Sequence, residues 1–148
     1  MNDPISAGLS YLACLQTEAG SWKGDYDGPL FLLPGYVFAH YATATPLPDA
    51  HRRAFVEYIA GVQNPDGGFG LHVEGEGLLF TTVLNYVALR LLGVEPADPR
   101  ARRALDWIRT RGGALGIPSW GKYWLAILRL YEWEGVNPVL PELLLLPS

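Results

Sequence analysis

Two helical patterns alternate along this chain. Some segments are amphipathic: Phe55, Tyr58, Ile59 and Val62 fall at i, i+3, i+4 and i+7, opposite Arg52, Arg53 and Glu57. Ala101, Ala104, Leu105 and Ile108 repeat that pattern 46 residues later, with Asp98 placed as N-cap and Pro99 at the first helical position. Ile5, Leu9 and Leu12 give the same stripe in the first such segment. The other segments, over 29–44, 76–92 and 119–133, are apolar nearly all round. A helix without a polar face has to be covered on every side. Amphipathic helices outside and apolar helices inside satisfy both patterns, which predicts an all-α protein in the two concentric layers of an α/α toroid. Three outer–inner hairpins make about half a closed ring, so one flank is expected to stay exposed or to take a partner. Pro34 lies inside the second segment and is expected to kink or break it, because proline removes a backbone donor.

The outer-to-inner connections are Gly-rich: Ala19-Gly20-Ser21, residues 24–29, and Asn64-Pro65-Asp66-Gly67-Gly68. Two of them carry one phrase written twice. Leu12-x3-Gln16-x3-Gly20-x-Trp22 recurs as Ile59-x3-Gln63-x3-Gly67-x-Phe69, 47 residues on. Such a period points to a repeat architecture. A glutamine at a helix end can satisfy orphan backbone groups while the aromatic ring excludes water. Gln16, Gly20, Trp22, Gln63, Gly67 and Phe69 are therefore expected to be structural residues. At the other end, Asn137-Pro138 closes the last helix, and residues 135–148 read as an extended apolar arm.

Composition narrows the function. A chain of 148 residues is most simply one domain, 1–148, and at 49% hydrophobic against 18% charged residues it is rich in apolar groups. A net charge of −4 argues against nucleic acid as a partner. Arg52, Arg53, Arg100, Arg102 and Arg103 read as solvated helix faces. Cys14 is the one cysteine, which excludes an intrachain disulfide and a cysteine-based metal site. No basic, apolar leader opens the sequence, and Pro34, His40, Asn85 and Arg90 interrupt the two longest apolar stretches. The expected location is intracellular, without a membrane span.

The repeated Gln…Gly-x-aromatic phrase resembles the QW repeat of triterpene cyclases, the squalene and oxidosqualene cyclases. Longer strings carry the resemblance toward the oxidosqualene branch (lanosterol and cycloartenol synthases). They are Trp22-Lys23-Gly24-Asp25-Tyr26-Asp27-Gly28-Pro29-Leu30-Phe31-Leu32-Leu33-Pro34-Gly35, Gln63 through Glu74, Thr82 through Val87, and Pro118 through Leu125. The match runs from about Leu9 to Pro147. It implies part of the second, N-terminal-half toroid of a cyclase, and hence a fragment or truncated product. The implied reaction is cyclisation of (3S)-2,3-oxidosqualene by a carbocation cascade that needs no cofactor. The implied partners are that isoprenoid substrate, the remaining cyclase half or a second copy, and a membrane surface approached monotopically. The family's catalytic acid lies in an Asp-Cys-Thr-Ala-Glu segment that is absent here, so no catalytic residue is expected in this chain. By the same resemblance Tyr26 and Trp120, with Phe31 and Trp124 behind them, line the substrate cavity. Phe69 departs from the family pattern: it keeps the ring of the usual tryptophan and loses its indole donor.

Other readings of the residues remain open. One is a non-catalytic helical-repeat binding module. Another is a carbohydrate-active α/α-barrel enzyme, which needs two carboxyls about 5 to 10 Å apart; Asp25, Asp27, Glu74 and Glu76 are the candidates. A calcium loop starting at Asp25 fails, because its twelfth position is Tyr36 and not Glu. His40, His51 and His72 are scattered, and His72 with Glu74 lacks further zinc ligands at a suitable spacing. No Ser-His-Asp elbow, dinucleotide fingerprint or P-loop occurs.

Overall fold

A computed structural model of the chain describes residues 3–22 and 28–137. Six α-helices follow in order: α1 (Pro4–Leu15), α2 (Leu32–Ala42), α3 (Asp49–Gly61), α4 (Leu79–Leu91), α5 (Pro99–Thr110) and α6 (Ser119–Ile127). Two isolated antiparallel bridges, Gln16 with Trp22 and Pro29 with His72, are the β-type pairing among the described residues. The fold is all-α, built as outer–inner hairpins. Among the described residues no helix is long and apolar enough to cross a membrane.

Helix α4 is the centre. It packs against α2, α3 and α5, and its Phe80, Val83, Leu84, Val87, Ala88 and Leu89 are buried. The amphipathic α5 turns Ala101, Ala104, Trp107 and Ile108 onto that core, while α3 buries Ile59. α1 behaves differently. Its stripe of Ile5, Leu9 and Leu12 is exposed, and the helix buries no residue. The open flank lies along α6, where Trp120, Tyr123, Ile127 and then Leu130 keep apolar surface in solvent.

The inner helices are shorter than the apolar runs that announce them. α4 starts at Leu79, after a turn within residues 71–75 and three residues outside helix and turn, and α2 starts at Leu32. This start corrects the expectation for Pro34. It occupies the third position of α2, where the first-turn N–H groups have no partner inside the helix, so its missing donor breaks nothing. Helix α6 stops at Ile127 instead of running to Trp133. Arg129 adopts φ +59°, Leu130 N–H donates to the Leu125 carbonyl at 2.8 Å, and Arg129 N–H donates to Ala126 at 3.0 Å. That pair of bonds is a Schellman stop. α2 stops the same way at Ala44, φ +52°, with Thr45 N–H on the His40 carbonyl at 2.9 Å. Neither residue is the glycine that usually advertises such an end; in α6, whose predicted segment reaches residue 133, the periodicity overruns it. Residues 138–148, most of the proposed apolar arm, lie outside the described residues.

Candidate functional site

The first turn of α6 meets the start of α2 and the start of α4 in a cluster of rings. Trp120, the second residue of α6, is 52% exposed. Its ring lies 5.6 Å from Phe31 in an edge-to-face arrangement at 75°, and 5.3 Å from Phe80, tilted by 35°. One turn further along α6, Trp124 is half-buried and meets Phe38 at 5.6 Å. Trp120 and Phe31 are thus in ring contact, while Trp124 packs separately on the buried Phe38. Tyr26 lies outside the described residues, as do Asp25 and Asp27.

Phe80, Phe38 and Asn85 escape the sequence reading. A run of Thr81, Thr82 and Asn85 in an otherwise apolar helix is the available signal, because polar groups buried in a core need assigned partners. All three are buried and all are bonded. Thr82 Oγ1 accepts from Phe69 N–H at 2.9 Å, and the Thr81 hydroxyl donates to the Phe69 carbonyl at 2.7 Å. The Asn85 amide donates to the Leu30 carbonyl at 2.7 Å and to that of Thr81 at 2.9 Å. α4 therefore holds Leu30 and Phe69, the residues that follow two of the Gly-rich connections.

The two repeat turns hold their glutamines close. Gln16 Nε2 donates to the Gly20 carbonyl at 2.7 Å, and Trp22 Nε1 to Leu12 at 2.7 Å. Gln63 Nε2 donates to Gly67 at 3.0 Å and to Arg100, in the first turn of α5, at 3.1 Å. The Asn64–Gly68 turn also seats Trp107, whose indole donates to Asp66 at 2.7 Å beneath the Arg111 guanidinium, 3.5 Å above the ring. A Cβ on Gly68 or Gly77 would stand 2.6 Å from that indole, so both glycines are there to admit it.

Among the described residues the rings around Trp120 are Phe31 and Phe80. Asp66 is held below the usual carboxylate range, chiefly by the Gly68 N–H and then by the Trp107 indole. Asp98 is pulled down to about 2 by the Arg100 side chain and backbone N–H. A general acid at neutral pH needs the opposite shift. Among the described residues no group of three or more His, Cys, Asp or Glu could hold a metal ion. What aromatic faces can do is stabilise a nearby cation, by about 0.5 to 2 kcal/mol each.

Comparison with known proteins shows the family. Residues 5–148 match the squalene–hopene cyclase N-terminal domain. The chain belongs to the squalene–hopene cyclase family. It is 51% identical to human lanosterol synthase over 141 residues, which cover 95% of this chain and 19% of that protein. Cycloartenol synthase of Dictyostelium discoideum is 49% identical over 144 residues, 97% of this chain and 20% of that protein. The alpha-onocerin synthase of Lycopodium clavatum is 49% identical over 147 residues, 95% of this chain and 19% of that protein. These relatives fall in the oxidosqualene branch that the motifs indicate. This cyclase chain spans about a fifth of the length of the curated relatives it matches.

Proposed function

We propose that this chain forms part of a triterpene cyclase that converts (3S)-2,3-oxidosqualene to a sterol-type triterpene by a carbocation cascade. Trp120, Phe31 and Trp124, with Tyr26, line the substrate cavity and supply aromatic faces to the migrating cation. The observation that carries the reading is the half-exposed Trp120 ring, held by Phe31 and Phe80 where the first turn of α6 meets the starts of α2 and α4. A buried core tryptophan would not keep that much surface open.

The proton that opens the epoxide comes from the Asp-Cys-Thr-Ala-Glu segment of such an enzyme, so this chain by itself does not cyclise the substrate, and no cofactor takes part. The exposed apolar side of α6 supports docking of the remaining cyclase half. The substrate is an isoprenoid that dissolves in lipid, and peripheral association with a membrane follows from that chemistry.

The test is a chimera in which this chain replaces the matching 141 residues of human lanosterol synthase. The chimera is expected to form tetracyclic product, with Trp120→Phe retaining most of the turnover. Trp120→Leu should lose about tenfold, the scale of one cation–aromatic contact. Unchanged turnover and products in Trp120→Leu would overturn the assignment.

A further inference from the structure

Helix α4 supports both rings that hold Trp120, by two different routes. Phe80 touches the indole directly at 5.3 Å. Phe31 is reached through the backbone. The carbonyl of Leu30 belongs to the peptide that enters Phe31, and the Asn85 amide fixes that carbonyl at 2.7 Å. The other side of Leu30 is tied as well, its N–H donating to the Leu71 carbonyl at 2.9 Å. Phe31 then meets Trp120 edge-on at 5.6 Å. Asn85 itself is 1% exposed, and both of its amide contacts are carbonyls, which only an –NH2 group can satisfy.

We infer that Asn85 is a positioning residue of the cyclisation cavity, acting through the Leu30 carbonyl and Phe31 on the orientation of the Trp120 ring. The inference rests on the cyclase reading above. The cation–aromatic attraction depends on which part of the ring faces the charge, since the face is negative and the edge positive. A buried amide that sets ring orientation therefore governs how far the cascade runs before a proton is lost. Thr82 makes the natural control. It lies on the same helix and is equally buried, but it holds Phe69 instead of Leu30.

Asn85→Leu, Thr82→Val, Phe31→Leu and the Asn85→Leu/Phe31→Leu double variant are compared in the chimera. Asn85→Leu is expected to raise the ratio of incompletely to fully cyclised product about tenfold, as one positioned hydrogen bond allows. Thr82→Val should destabilise comparably and leave the ratio alone, and the double variant should match Phe31→Leu because the two act in series. An unchanged ratio in Asn85→Leu, an equal shift in Thr82→Val, or additive effects would each overturn the inference. An unmodified chimera that makes no product defeats the cyclase reading separately. The isolated chain then decides the role of Asn85. There the near-ultraviolet circular dichroism lost in Trp120→Phe defines the Trp120 signal; Asn85→Leu should remove most of it and Thr82→Val should keep it. Full retention in Asn85→Leu overturns the positioning role. If far-ultraviolet dichroism shows that Asn85→Leu does not fold, Asn85→Ser carries the same comparisons.

Discussion

In both Gln–Gly–aromatic turns the glutamine amide donates to the glycine carbonyl four residues on, at 2.7 Å in the first and 3.0 Å in the second. Both glycines sit in the left-handed region, φ +79° and +95°. Both turns close with the same two backbone bonds, Gly20 to Thr17 with Thr17 to Ser21, and Gly67 to Asn64 with Asn64 to Gly68. Beyond the turn they diverge. Gln63 reaches the Arg100 carbonyl and accepts from the Arg103 guanidinium at 2.7 Å, whereas among the described residues Gln16 bonds only within its own turn. Phe69 is 0% exposed and Trp22 is 54% exposed. The hairpin geometry is thus local and written in each phrase. Its burial comes from the next repeat: α4 behind the ring and α5 across the glutamine.

The rings give the widest separation. Phe69→Ala removes a fully buried side chain beside Thr81 and Thr82 and should cost about 3 to 5 kcal/mol. Trp22→Ala loses a half-exposed ring and one exposed hydrogen bond, about 1 kcal/mol or less. Urea unfolding of the two variants measures both. Equal losses would mean that the first turn is as tightly packed as the second.

The glycines come next. Alanine at either position pays the left-handed penalty of about 1 to 2 kcal/mol. At Gly67 the new Cβ would also stand 2.7 Å from the Arg103 carbonyl, whereas at Gly20 it would meet only the Gln16 amide at 3.8 Å. Backbone cannot move aside as a side chain can, so Gly67→Ala should exceed Gly20→Ala by about 1 to 3 kcal/mol. Matched midpoints would show that α5 yields to the methyl group, and that the second turn is not rigidly seated.

Gln63→Ala leaves two partly buried contacts and one exposed contact open and should cost about 1 to 3 kcal/mol. Gln16→Ala exposes its single acceptor to water, and a loss of about 0.5 kcal/mol is expected. A double-mutant cycle of Gln63→Ala with Arg103→Ala would sharpen the point, because residues in one network are not additive.

The helical layers, the repeat period and the N-cap at Asp98 were legible in the sequence because periodicity and capping chemistry are local. The helix end at Arg129 was not, since its left-handed stop uses a residue without a glycine's signature. Trp120, Phe31 and Trp124 were proposed through resemblance to a family; the period of α6 alone assigns Trp120 and Trp124 to packing. Asn85 and Phe80 were missed for a physical reason. Their contacts are with the Leu30 carbonyl, 55 residues from Asn85 in sequence, and with a ring of α6. No window along the chain contains either. The exposure of α1 is the same lesson reversed: an amphipathic stripe states that a helix can be buried, and only tertiary contacts state that it is.

The smallest expected difference lies at the helix starts. Asp3 and Asp98 are both N-caps followed by proline. Asp98 accepts from Arg100 N–H at 2.9 Å and from its guanidinium at 2.9 and 2.8 Å, at the turn that Gln63 also grips. Asp3 takes longer bonds, 3.3 Å from Ile5 N–H and 3.4 Å from Ser6 N–H, on a helix that buries nothing. Asp98→Ala should therefore cost about 1 kcal/mol at neutral pH, the usual value of a cap, and Asp3→Ala almost nothing in global unfolding. The Arg100 contacts pull the Asp98 carboxyl from 3.8 to about 2. A carboxyl with a lower pKa in the folded than in the unfolded chain stabilises fully above its unfolded value. That contribution falls away as pH drops through the folded one. The gap between wild type and Asp98→Ala should thus be constant above about pH 5 and shrink between about pH 4 and 2. Thermal melts across that range decide it, and a gap that does not narrow toward pH 2 would assign the stabilisation to packing of Arg100 instead of the ionised cap.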